Sequence, residues 1–243
     1  MMTSTTLTRC LLAALLVAAA PSFAGEQAGK LSDKFLGMRQ KALSGVKPDE
    51  AGLLFLGDSI TAGWNRNGVI EIWRKNFARY NPVNFGIPGY ATSHIVHYTT
   101  NGGLDGLHPK AVVILIGINN TNGLKETGDE IAADIKKIVA TIREKLPGTK
   151  IIVTSIFPRG PQAERQETWE NKGNQRMAII TAANKEIAKL DDGKTVRVLD
   201  LTEKFLVNGK PSTEYQGDLL HLTPKGYELW AAGLAPLLEQ MTK

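Results

Sequence analysis

A chain of 243 residues, 42% hydrophobic and 22% charged, has the make-up of one ordinary globular domain, which excludes a disordered or low-complexity protein. Its 29 basic residues against 24 acidic ones give a formal charge of +5 spread along the chain. The concentrated basic stripe with interleaved aromatics expected of a nucleic-acid binder is lacking, and Lys136-Lys137 reads as a solvated helix face.

At the start, Arg9 precedes an apolar run from 11 to 20, and Pro21-Ser22-Phe23-Ala24 offers small residues where a signal peptidase cleaves. The run is about half the roughly 20 apolar residues that a spanning helix needs. Residues 1–24 are therefore expected to be a removable export signal, with one domain at 25–243, no stable membrane anchor, and a periplasmic or secreted destination. Cys10 is the only cysteine and lies inside that signal. The exported chain would then hold no disulfide, no cysteine nucleophile and no thiolate-bound zinc. Losing Arg9 would leave 28 basic residues against 24 acidic, a charge of +4.

Residues 25–50 read as a leading helix. Five β-branched or aliphatic runs follow, at 53–56, 83–87, 111–116, 151–156 and 196–199, and read as strands buried on both faces. Between the third and fourth, Ile131, Ile135, Ile138, Val139, Ile142 and Leu146 form one helical stripe, ended by Pro147-Gly148. Thr223 and Pro224 suit the N-cap and first position of a last helix through Leu229, Trp230, Leu234 and Leu237. The alternation predicts an α/β fold, a parallel sheet between two helical layers, whose ligands bind beyond the C-terminal strand ends.

Those ends carry the candidate residues. The first gives Gly57-Asp58-Ser59, a serine at a strand-to-helix turn, where glycine allows the backbone to approach a substrate closely; the same residues also suit a plain helix cap. The second gives Gly86-Ile87-Pro88-Gly89-Tyr90 and the third Gly117-Ile118-Asn119-Asn120. Gly89 could offer an unobstructed N–H, and Asn119 a side-chain amide, to a developing oxyanion; taken singly, each is also a common turn residue. Before the last helix, Asp218-Leu219-Leu220-His221 puts a carboxylate and an imidazole on one loop. An aspartate holding one ring nitrogen would leave the other free to take a serine proton, although an isolated pair of this kind also reads as a surface Asp with a capping His.

The four blocks in this order, GDS, the second-strand glycine, G-x-N and DxxH, resemble the sequence blocks of the SGNH or GDSL hydrolases from about Leu53 onward. The phrases NFGIPG and IFPRG are similar to the platelet-activating-factor acetylhydrolase-like and carbohydrate-esterase members. The resemblance implies a flavodoxin-like three-layer α/β/α sandwich with a five-stranded parallel sheet. It implies Ser59 as nucleophile, His221 as base and Asp218 as its orienter. The oxyanion hole would be the Ser59 and Gly89 N–H groups with the Asn119 amide, and no cofactor is called for. Ile60 replaces the usual leucine, and Tyr90 and Asn120 stand where many members carry aspartate.

Asp58, Tyr90 and Asn120 are expected to border the substrate. Trp64, Arg159 and Trp169 follow strand ends and either line the cleft or pack. His94 and His97, three apart on a helix, lack a third ligand at recognisable spacing, so no metal is expected; His108 is expected to be solvated. The expected activity is hydrolysis of a short acyl ester, acetyl foremost, on a small molecule or glycan. The rivals are a lipid or thioester hydrolase and a catalytically silent sugar-binding module; a nucleotide-binding protein lacks its glycine fingerprint.

Overall fold

The computed structural model describes residues 33 and 35–243. The expected export signal, Cys10 and the start of the leading helix lie outside the described residues. The described part of that helix ends at 42, and a 3₁₀ turn at Pro48–Glu50 leads into the sheet.

Five strands form the sheet: β1 (Leu53–Gly57), β2 (Pro82–Gly86), β3 (Ala111–Leu115), β4 (Lys150–Thr154) and β5 (Val196–Leu199). All pairings are parallel and the order is β2-β1-β3-β4-β5. This is the flavodoxin-type order, with its topological switch between β1 and β3. The inner strands β1 and β3 are buried at every position, as continuous apolar runs require. The edges β2 and β5 are only partly covered, because a neighbouring strand protects them on one side.

The helices are α1 (Ser59–Ala62), α2 (Ile70–Phe77), α3 (Thr92–Thr100), α4 (Gly128–Lys145), α5 (Asn174–Ile187) and α6 (Pro224–Met241). α2 packs with α6, and α4 packs between α3 and α5, the division onto two faces that the right-handed crossover rule leads one to expect. The apolar stripe of α4 is buried, and a Thr127–Glu130 capping box starts the helix at Gly128, three residues before the first of those isoleucines. Thr223 caps α6, its hydroxyl accepting from the Gly226 N–H at 3.2 Å.

One element went unread in the sequence. A two-stranded hairpin, β6 (Leu206–Val207) with β7 (Lys210–Pro211), turns at Asn208 and Gly209, both at positive φ (52° and 73°). Asn-Gly between two short runs is the local signal of such a turn.

Candidate active site

The C-terminal ends of β2, β1 and β3 lie side by side, in register at Gly86, Gly57 and Leu115. Ser59, Gly89 and Asn119 follow those registered positions within four residues, so the sheet itself gathers them. At the nucleophile turn Asp58 caps α1, its Oδ1 accepting from the Ile60 N–H at 2.9 Å. A Cβ on Gly57 would stand 2.1 Å from the Thr61 hydroxyl and 2.3 Å from the Leu115 carbonyl, so this glycine serves the packing of the turn rather than a substrate's approach. Gly86 has the same function on β2: a Cβ there would meet the Ala62 nitrogen at 2.1 Å.

Ser59 Oγ lies 3.0 Å from His221 Nε2, and His221 Nδ1 lies 2.7 Å from Asp218 Oδ2. Asp218 Oδ1 also accepts from the backbone N–H groups of Leu220 (3.0 Å) and His221 (2.6 Å). Partial burial works against the Asp218 charge, but these bonds and the His221 ring outweigh it and hold the carboxyl below its ordinary range. The Asn119 amide donates to the Tyr90 carbonyl at 2.9 Å, tying the third strand end to the second. Gly89, at φ 82°, is exposed.

Several expected substrate contacts turn out to be interior. Trp64 does not line the cleft: it is fully buried among Phe55, Trp73, Phe77, Tyr227 and Trp230, with ring centroids 4.5 to 6.3 Å away. Arg159 is 1% exposed and donates to the Ile118 carbonyl at 3.2 Å and the Thr121 hydroxyl at 3.4 Å. Asn120 is buried and bonds Thr92 through both ends of its amide, accepting from the Thr92 N–H (3.1 Å) and donating to its hydroxyl (2.8 Å). Asp58 is fully buried; removal from water pushes its carboxyl up to about 7 against the pull of the Ile60 N–H and Arg159. Each is a local consequence of a buried strand end, where side chains following the strand turn inward as often as outward.

Tyr90 is also buried, its ring stacked on His94 at 4.7 Å. Trp169 is half-buried, on a π-turn at Trp169–Gly173, with the Lys210 ammonium 5.0 Å above its ring. His94 and His97 both lie on α3, but His94 Nδ1 accepts from the Ala91 N–H (3.0 Å) and His97 Nδ1 lies 3.1 Å from the Asn101 amide. Among the described residues no group of three His, Cys, Asp or Glu side chains could hold a metal ion, and no helix is long and apolar enough to cross a membrane. His108 is exposed.

What the sequence did not disclose is how the Asp218–His221 loop is held. Gln162 donates to the Asp218 carbonyl (2.8 Å), Gly160 N–H to the Leu219 carbonyl (2.9 Å), and the buried Gln216 amide to the carbonyls of Pro158 (2.7 Å) and Leu220 (3.2 Å). Leu219 takes the left-handed conformation, φ 60°, that closes the loop. Glutamine carries no pattern that marks it as internal, so these supports had no sequence signal. Nor did the bidentate pair of buried Arg176 with Glu167, whose carboxyl its hydrogen bonds hold down near 2.

A serine, an imidazole and a carboxylate in hydrogen-bonded series at the switch point of a parallel sheet define a hydrolase of the three-layer α/β class. The sequence profile of the GDSL-like lipase/acylhydrolase family matches residues 55–229. The chain belongs to that family and is an ester hydrolase. It is 31% identical over 210 residues to human platelet-activating factor acetylhydrolase IB subunit alpha2, covering 86% of this chain and 85% of the relative. The chicken protein of the same name is 31% identical over 225 residues, 92% and 91% of the two chains. Among solved structures, a GDSL-like lipase from Bacteroides thetaiotaomicron shares the fold with a TM-score of 0.68, at 19% identity over 85% of this chain and 97% of that one.

Proposed function

We propose that the protein hydrolyses short acyl esters, acetyl foremost, on carbohydrate, with Ser59 as nucleophile, His221 as general base and Asp218 as its orienter. The observation that carries the reading is the series Ser59 Oγ, His221 Nε2 at 3.0 Å, and Asp218 Oδ2 at 2.7 Å from the other ring nitrogen. His221 takes the Ser59 proton as Oγ attacks the ester carbonyl, then passes it to the leaving alcohol; water enters by the same route and releases the acid. The Ser59 and Gly89 N–H groups and the second Asn119 amide hydrogen receive the oxyanion, each worth on the order of 10²–10³ in rate.

The alcohol half is assigned to a sugar because the groove of about 430 Å³ beside the base sets Arg66, Asn67, Asp218, His221 and Thr223 among the apolar Val69, Leu222 and Pro224. Its charged and polar groups suit a sugar's hydroxyls, whereas a long chain would want an unbroken apolar trough, each methylene left in water forgoing about 0.8 kcal/mol. A lipid alcohol is the second reading, favoured by relatives named for acetyl hydrolysis of platelet-activating factor. Action outside the cytoplasm is supported by the pattern of Arg9 and the apolar run before Ala24.

A fluorophosphonate should label Ser59, and Ser59→Ala should abolish turnover; adduct formation at Ser93, Ser155 or Ser212 would sink the assignment. On p-nitrophenyl esters kcat/KM should fall steeply from acetate to octanoate, and acetylated xylan or monosaccharides should release acetate. Release from platelet-activating factor but from no glycan would decide for the lipid.

A further inference from the structure

Three strand ends and the base loop carry the residues proposed to act, while the segment that follows β4 carries none of them. Yet residues 155–160 are buried without interruption. On one side their backbone holds the base loop, through Gly160 N–H to Leu219 and Pro158 carbonyl to Gln216. On the other, the Arg159 guanidinium grips the Ile118–Asn122 turn that carries Asn119, donating from Nη1 to the Ile118 carbonyl and the Thr121 hydroxyl. Thr121 is itself fixed, its hydroxyl donating to the Ile118 carbonyl at 2.7 Å and its carbonyl accepting from Arg176 Nε at 3.3 Å.

Among the described residues no carboxylate is bonded to this cation, Glu167 being occupied by Arg176, and Arg159 Nε has no partner. A buried charge left in that condition is costly. The charged groups that face it are Asp58 on the nucleophile turn, Asp218 on the base loop, Glu167 and Arg165 beyond its own segment, and Arg176 on α5. Burial pulls its own pKa down to about 10, which leaves it a cation throughout pH 5–9.

We propose that Arg159 is a positioning residue for ester hydrolysis: its guanidinium fixes the Asn119 turn by hydrogen bonds, while the backbone on either side of it holds the base loop. The proposal rests on the site reading given above. Two variants test it. Arg159→Lys keeps the charge but not the planar fork that reaches both acceptors, whereas Arg159→Met loses both at similar length.

Rates on p-nitrophenyl acetate are to be measured from pH 5 to 9 and normalised to fluorophosphonate-reactive enzyme, so that loss of folded protein does not count. Arg159→Lys should lower kcat about tenfold with KM within about twofold and the acid limb unmoved, in keeping with the cost of a slightly misplaced donor. Arg159→Met should lower kcat about 100-fold, on the scale of one oxyanion donor. Normal per-site kcat in both variants would overturn the proposal. If Arg159→Met yields no folded enzyme, an unchanged kcat in Arg159→Lys overturns it alone. Turnover that survives in Ser59→Ala would instead mean that the site reading is at fault, whatever Arg159 does.

Discussion

The nucleophile turn and the base loop face each other across 3.0 Å, but they are held by opposite means. Ser59 starts a four-residue helix fed by a wholly buried strand, and its supports are close: Asp58 caps it, Gly57 and Gly86 let it pack, and the Tyr227 hydroxyl donates to the Ile60 carbonyl at 2.6 Å. The side chains of Asp218 and His221 are 46% and 39% exposed, and their loop is fixed by bonds from Gly160, Gln162 and Gln216. A nucleophile can be positioned by the sheet from which it emerges. A base that must exchange protons with water cannot be buried, so its loop is tied down from outside.

The comparison is broken most severely by removing Asn119, the sheet-borne amide proposed as an oxyanion donor. Asn119→Ala should lower kcat by on the order of 10²–10³ with little change in KM, since the amide acts on charge that exists only in the transition state. Because Asn119 is half-buried and its loss frees only the Tyr90 carbonyl and the exposed Asn122 amide, the fold should persist. Circular dichroism checks the fold and initial rates on p-nitrophenyl acetate check the activity. A KM effect alone would put Asn119 in ground-state binding.

This division also explains what could be read without coordinates. The five strands were legible because buried parallel strands are continuous apolar runs, and the last helix because Thr223-Pro224 is a local cap signal. The residues at the strand ends were legible in their positions along the chain. Their direction was not: Trp64 and Arg159 follow strand ends as Ser59 does, but what buries them is an aromatic cluster built from α2 and α6 in one case and the Ile118–Asn122 turn in the other. Gln162 and Gln216 were illegible for the same reason, since each satisfies a carbonyl more than 50 positions away. Side-chain to backbone bonds between distant segments leave no period and no spacing to detect.

Burial of the nucleophile turn has its own consequence for pH. Asp58 is fully buried, its Oδ2 has no partner among the described residues, and its pKa is raised from 3.8 to about 7. Below about pH 4 it is protonated in both folded and unfolded chains and costs nothing. Between about pH 4 and 7 the unfolded chain ionises while the folded one retains its proton, so stability falls as pH rises through this window and the full cost remains above it. Roughly three pKa units correspond to at most about 4 kcal/mol. Asp58→Asn keeps the acceptor for Ile60 N–H and does not ionise, so urea unfolding of the variant at pH 5 and pH 8 should show a flatter dependence than the parent. An equal slope in both proteins would mean that Asp58 is ionised throughout.

The smallest effect is expected where the base loop meets its supports. Gln216 is fully buried, and its amide nitrogen serves the carbonyls of Pro158 and Leu220, one on each side of the seam between the post-β4 segment and the loop. Gln216→Leu keeps most of the volume and leaves both carbonyls unserved. At roughly 0.5–1.5 kcal/mol net per bond, the loss should be about 1–3 kcal/mol of stability. The backbone bond from Gly217 N–H to the His221 carbonyl (3.1 Å) and the Asp218–His221 bonds remain, so the loop should loosen rather than melt. A His221 ring displaced by a fraction of an ångström takes the Ser59 proton less often, and kcat per labelled site should fall about tenfold, below the roughly 10² attached to a full 1 Å misplacement. Acylation by the fluorophosphonate should slow in parallel, because it needs the same proton transfer. If stability falls but both rates per folded molecule hold, the Asp218–His221 turn sets its own geometry, and the distant supports serve the fold rather than the base.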